Sequence, residues 1–110
     1  MNIPEIDRTI EKLRKTTTFY MPDFFHSCGT PGCIAGHVIG SRVEAVGANP
    51  SRLASDMLGI PREVGANLFT PFHIDYLAVT VPIAIQALEN LKAGATTEKE
   101  LWPDFYQEDE

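Results

Sequence analysis

Four side chains that can bind a metal ion lie close together between residues 26 and 37: His26, Cys28, Cys33 and His37. Imidazole nitrogen and thiolate sulfur are ligands that zinc takes in tetrahedral sites. The pattern H-x-C-x4-C-x3-H therefore predicts, as one alternative, a zinc site formed by these four residues. Its spacing differs from the common C-x2-C knuckle, and a chain that is 44% apolar can fold without a metal. We therefore expect no cofactor and keep zinc as the alternative.

The same segment also suggests a cysteine-dependent enzyme. Cys33 would lie in the first turn of a helix, where the helix dipole lowers the pKa of a thiol, and His37 would follow one turn later as a base. His73, in the sequence PFHID, is a further candidate base, and Asp75 is placed to orient it. Buried cysteines are common core residues, however, and a Cys–His pair one turn apart often has no chemical role. We therefore favour a protein that is not an enzyme.

The element that must position these side chains is a helix predicted to start at Thr30. Thr30 has the residue type of an N-cap, and Pro31 suits the first helical position because its missing N–H costs little there. The helix would run to about Ala45. We expect both cysteines to face the interior, with Thr30 fixing the start of the helix.

Glycines recur at every fourth position of this predicted helix, at Gly32, Gly36 and Gly40. Each glycine inside a helix costs about 0.5–1 kcal/mol relative to alanine, so three together indicate a compensating close contact. We expect another helix or the preceding aromatic loop to lie against this glycine stripe. The alternative is a partner surface, for example a two-fold dimer contact.

The rest of the chain has the pattern of short helices joined by tight turns. Apolar residues at helical spacing predict a first helix over residues 3–16, and the large apolar residues within 16–29 predict a loop folded onto the core. Three further helices are predicted by their start and stop signals, which are Asn49 and Gly59, Pro61 and Thr70, and Thr80 and Gly94. Thr97 and Glu100 form a capping-box pattern for a last turn. The predicted fold is all-α, a compact irregular bundle of five to six short helices.

Charge is concentrated at one end of the chain. The net charge is -6, and residues 96–110 hold six acids against one lysine, so this segment supplies most of it. We expect one helical domain over residues 1–95 and an acidic C-terminal tail over 96–110. The tail is either partly disordered or docked through Trp102, Phe105 and Tyr106, on the body of the protein or on a basic partner.

Composition also argues against nucleic-acid and membrane partners. Nucleic-acid binding requires clustered Lys and Arg, whereas the body of this chain is nearly neutral. The segment SRLASDMLGIPREVGANLF resembles a helix-turn-helix only loosely, and its second helix offers Arg62 as its only base. The longest apolar run, LAVTVPIAI, is far shorter than a membrane span, and the first residues lack a signal-peptide pattern. We expect a cytoplasmic protein whose cysteines are reduced.

The segment CGTPGCIAGH, preceded by FYMPDFF and followed by ASDMLGI and ANLF, resembles a group of small uncharacterised bacterial and bacteriophage proteins. That group has an aromatic-Met stretch, a Cys-Gly-Thr-x-x-Cys-x-x-Gly core and a Leu-Gly turn, and the similarity covers roughly residues 19–95. Trp often takes the place of His37 in the group, so the resemblance does not imply a shared zinc site. It implies a shared helical fold, and its sharpest part is Cys28, Gly29, Thr30, Cys33 and Gly36. Together with Gly40 of the glycine stripe, these residues are the predicted structural motif.

These observations favour one function over an alternative. The favoured interpretation is a small non-enzymatic helical interaction protein of bacterial or phage origin, which binds another protein or a second copy of itself. The alternative is a zinc-binding or cysteine-dependent site formed by His26, Cys28, Cys33 and His37.

Overall fold

A computed structural model describes residues 1–42 and 46–107 of the protein, and within them the chain forms six α-helices and no β-strand. The all-α prediction is therefore confirmed. The helices are α1 (Ile3–Lys15), α2 (Ile34–Ile39), α3 (Pro50–Leu58), α4 (Arg62–Phe69), α5 (Val81–Lys92) and α6 (Glu98–Leu101). None of the helices in these residues has the length and apolar character needed to cross a membrane.

Helix α1 forms where the apolar period predicts it. The Asn2 side chain accepts a hydrogen bond from the Glu5 amide, which caps the first turn. Ile6, Ile10 and Leu13 are buried along one face, and this face packs against α2 and α5. The predicted helix over residues 3–16 is confirmed.

Helices α3 and α4 pack closely against each other. Asn49 caps α3 by accepting from the Arg52 amide, and Gly59 ends it with a positive φ of 67°. Gly65 lets the two helices approach, because a Cβ at this position would lie 1.7 Å from the Ser55 hydroxyl oxygen. Both helices follow their predicted start and stop signals.

The C-terminal end of the described chain is part of the core. Helix α6 has the predicted capping box, in which the Thr97 side chain accepts from the Glu100 amide and the Glu100 side chain bonds back. Trp102 follows α6, is only 1% exposed, and donates its indole N–H to the Asn67 carbonyl at 3.1 Å. Residues 98–102 therefore pack as one unit with the preceding helices, while residues 108–110 lie outside the described residues.

Helix α2 is shorter than predicted, and the prediction of Thr30 as its N-cap is wrong. Cys33 occupies the N-cap position without a capping side-chain bond, and Gly40, with a φ of 108°, ends the helix. The amides of Gly32 and Cys33 donate instead to the carbonyls of Phe24 and Asp23, at 2.9 and 2.8 Å. The chain around Thr30 thus pairs with the aromatic loop and stays extended. The predicted end at Ala45 lies outside the described residues.

Candidate functional site

The glycines of the motif lie under the aromatic loop. A Cβ at Gly36 would come within 2.0 Å of the Phe24 carbonyl oxygen, and a Cβ at Gly32 within 2.4 Å of the Asp23 carbonyl oxygen. The close contact predicted for these positions is therefore confirmed, with the loop as the neighbour. Gly32 precedes α2 and Gly40 follows it, so the three residues are not a helical stripe. Because Gly32 and Gly36 are buried within the chain, they do not form a dimer surface.

Cys33 is a core residue. Its side chain is 1% exposed, and burial raises the pKa of its thiol to about 11. A thiol with this pKa is protonated at neutral pH, and thiolate is the nucleophilic form. The arrangement therefore gives no support to Cys33 as a catalytic nucleophile.

His37 is held as a neutral ring. Its Nδ1 lies 2.8 Å from the Cys33 carbonyl oxygen, and its Nε2 lies 2.8 Å from the Thr16 hydroxyl. A carbonyl accepts only, so we assign the ring proton to Nδ1, and Nε2 accepts from Thr16. Burial lowers the pKa of His37, and the nearby Lys12 ammonium lowers it further. His37 therefore contacts the backbone of Cys33 and uses both ring nitrogens in structural bonds.

Cys28 lies on the surface, which corrects the expectation that both sulfurs face inward. Its Sγ is 3.1 Å from the Thr30 hydroxyl, and hydrogen bonds from the Thr30 side chain and backbone lower the pKa of the thiol. The Arg42 guanidinium donates to the carbonyls of His26 and Ser27 and fixes the loop that carries Cys28. The role of Thr30 is thus to bond a thiol and not to cap a helix.

His26 lies beside Cys28 in a shallow cavity of about 480 Å³. Its Nε2 bonds to the Thr18 carbonyl oxygen, and its ring stacks on Tyr20 at a centroid distance of 6.1 Å. The ring is therefore oriented by the aromatic loop.

The four residues predicted as zinc ligands do not surround a common point. Within residues 1–42 and 46–107, no group of three or more His, Cys, Asp or Glu side chains is arranged to hold a metal ion. Cys33 is buried while Cys28 is exposed, and a ring nitrogen of each histidine is used in a bond to the backbone. A histidine can bind zinc through one ring nitrogen while the other bonds to a carbonyl, so the obstacle to a zinc site is that Cys33 is buried while Cys28 is exposed.

His73 lies far along the chain from the motif and has a different orienting group from the one predicted. Its Nδ1 bonds to the Glu98 carboxylate, whose other oxygen accepts from the Phe72 amide. Asp75 does not orient it, because the Asp75 side chain accepts from the Leu77 amide at 3.0 Å. The Tyr106 ring packs on His73 at a centroid distance of 5.1 Å. This arrangement joins the loop before α5 to the C-terminal segment.

Two large apolar residues of that loop project into solvent, and neither was predicted as a functional residue from the sequence. Phe72 is 90% exposed and Leu77 is 74% exposed. The spacing of apolar residues does not predict this exposure. Residues 71–79 do not form an α-helix, so no helical period separates buried from exposed positions. The one sequence feature that distinguishes this region is the absence of Lys and Arg between Arg62 and Lys92.

Comparison with models of protein families, with curated proteins and with solved structures gave no match for this chain. The resemblance to the bacterial and phage group stays a prediction.

Proposed function

We propose that this is a non-enzymatic helical protein that binds another protein through residues 71–78, which we name the docking loop. The observation that carries the proposal is the 90% exposure of Phe72 on a loop whose backbone is fixed. Single exposed apolar residues are common, but aromatic side chains are also the usual anchors of protein interfaces. An anchor presented in one conformation loses little entropy on binding.

The docking loop is held from several sides. The Phe72 amide donates to Glu98, and the Tyr76 hydroxyl donates to the Pro71 carbonyl at 2.6 Å. Pro71 and Ile74 are buried, and residues 76–78 form a short 3-10 turn closed by a bond from the Ala78 amide to the Asp75 carbonyl. The exposure of Phe72 and Leu77 is therefore a property of an ordered segment.

The distribution of charge supports a partner with a basic surface. Asp75 is exposed on the docking loop, and no Lys or Arg stands between Arg62 and Lys92. Gln107, which precedes three acids at the end of the sequence, donates its amide to the His73 carbonyl at 2.7 Å. These features fit an apolar pocket rimmed by Lys and Arg. A second copy of this chain fits less well as the partner, because two chains that each carry a net charge of -6 repel each other.

The state of the motif residues supports binding over catalysis. Cys33 is buried, and His37 has both ring nitrogens bonded, so neither is available to a substrate. A cytoplasmic location and a bacterial or phage origin are parts of this proposal. The location is supported by Cys28 and Cys33, which are free thiols of the kind a reducing compartment preserves.

Affinity purification with wild-type protein and two single variants tests the proposal. Phe72→Ser removes the anchor, while Val46→Ser removes an apolar side chain that is 79% exposed elsewhere. We expect a protein that co-purifies with wild type and Val46→Ser but not with Phe72→Ser, and that salt releases. With that protein purified, Phe72→Ser should weaken binding at least about tenfold. Identical recovery with all three chains would refute the docking loop as the interface.

A further inference from the structure

A second feature, independent of the docking loop, is a cavity of about 390 Å³ beside α3 and α4. Arg52 and Arg62 line it, together with Ser51 and Phe24. None of the lining residues that the structure describes is acidic, although the chain holds 15 acids against 9 bases. The cavity is therefore a local region of positive charge on an acidic protein.

The two guanidinium groups at this cavity differ from the other three in the chain. Arg8 pairs with Glu5 at 2.7 Å, Arg14 pairs with Glu11, and Arg42 donates to two backbone carbonyls. The side chains of Arg52 and Arg62 have neither an ion pair nor a hydrogen bond within residues 1–42 and 46–107. Two positive groups without a counter-charge at one cavity favour an anion as the missing partner.

We propose that this cavity binds the phosphate group of a small phosphate ester. Arginine binds phosphate with paired hydrogen bonds, and two guanidiniums match the double negative charge of a phosphate monoester. The Ser51 hydroxyl is a further donor, since its oxygen has no bond within the described residues. Phe24, an apolar residue at the same cavity, suits the organic part of the ester, and the cavity volume falls in the range of small-molecule sites.

The same phosphate chemistry occurs in DNA, but the surroundings favour a small ligand. A helix-turn-helix reads DNA through several polar or basic residues of its second helix, whereas α4 carries Arg62 beside Glu63 and no further base. The net charge of -6 also opposes binding to a polyanion. A small ester interacts mainly with the two nearby guanidinium groups, so the charge of the whole chain affects it less.

Calorimetric titration of the full chain at low salt tests the proposal, with inorganic phosphate and adenosine 5′-monophosphate as probes. We expect saturable binding of both, tighter for the nucleotide because Phe24 lies at the same cavity. Arg52→Gln and Arg62→Gln should each weaken binding about tenfold or more. Both side chains are exposed, so these variants should keep the wild-type circular dichroism spectrum. Arg14→Gln, which alters an exposed guanidinium paired with Glu11, is the matched control and should bind as wild type does.

Three results would overturn the proposal. The first is no saturation with either probe at about 10 mM. The second is equal weakening by Arg14→Gln and Arg52→Gln, which would indicate only a general charge effect. The third is tighter binding to a short DNA duplex than to the nucleotide, lost with rising salt, which would assign the arginines to nucleic acid.

Discussion

Cys28 and Cys33 belong to one motif but have opposite chemical properties. The Cys33 thiol is buried under the aromatic loop, and its pKa is raised to about 11. The Cys28 thiol is exposed, and its pKa is lowered by the hydrogen bonds from Thr30. A difference of this kind comes from solvent access and from one hydroxyl, because the two residues are of the same type and five positions apart.

This difference predicts the reaction of the native protein with a thiol reagent such as 5,5′-dithiobis(2-nitrobenzoic acid). Cys28 should react at once and Cys33 only after denaturant is added. Thr30→Val removes the side-chain donor to Cys28, so the pKa of that thiol should rise and the reaction should require a higher pH. Thr17→Val, at the same cavity but without a bond to the thiol, should leave the pH dependence unchanged. Equal reactivity of both thiols would contradict the burial of Cys33.

At the scale of elements, the contact between α2 and the aromatic loop determines where the helix can form. The loop places its carbonyl groups against Gly32 and Gly36, so the backbones approach more closely than any side chain would allow. The amides of Gly32 and Cys33 are bonded to that loop and are not available to extend the helix toward Thr30. Helix α2 therefore starts where this pairing ends.

Gly36→Ala tests this contact, because helix propensity and steric clash change the stability of the protein in opposite directions. Helix propensity alone would make alanine more stable by about 1 kcal/mol. A Cβ at 2.0 Å from the Phe24 carbonyl oxygen requires the backbone to move, so we expect a net destabilisation of about 2–3 kcal/mol. Urea unfolding measures this, and Ala66→Gly at an exposed position of α4 calibrates the propensity. A Gly36→Ala protein as stable as wild type would rule out the close approach.

The sequence predicts those elements whose signals are local. Asn49, Gly59 and the pair Thr97 and Glu100 act within one turn of their own helix, and each is observed in its predicted role. Thr30 and Pro31 carry the same local signal, but the bonds from the Gly32 and Cys33 amides to residues eight and ten positions earlier overrule it. The residue type at an N-cap does not show whether a distant segment will bond the same backbone amides.

The candidate site was predictable only in part for the same reason. The motif residues were identified by type, and the close contact at Gly36 followed from the cost of glycine in a helix. The burial of Cys33, the exposure of Cys28 and the bond from His73 to Glu98 depend on how distant segments pack. The orienting carboxylate lies 25 residues from His73, a separation that no spacing rule covers.

At the scale of the whole molecule, the C-terminal segment completes the core. Leu101 and Trp102 are almost fully buried, and the Trp102 indole bonds to Asn67 in α4. Asn90 in α5 donates its side-chain amide to the Leu101 carbonyl at 3.0 Å. A segment with an acidic composition thus supplies the largest buried side chain of the described residues.

Truncation tests the importance of this segment. A chain ending at Ala95 lacks α6 and Trp102, so we expect it to be unfolded or destabilised by at least the roughly 3–5 kcal/mol of a lost core aromatic. A chain ending at Gln107 keeps every described contact and should unfold with a melting temperature near that of the full chain. Circular dichroism on heating measures both. Equal melting temperatures for the two truncated chains would show that residues 96–107 add no stability.

The bond between Glu98 and the Phe72 amide also has a consequence for the newly made chain. Synthesis delivers residues 71–78 before residue 98, so the loop is made before the carboxylate that accepts from its Phe72 amide. The aromatic anchor takes its final position only when α6 has emerged and folded back. Under the proposed function, a partner would then be bound through Phe72 by finished molecules and not by nascent chains.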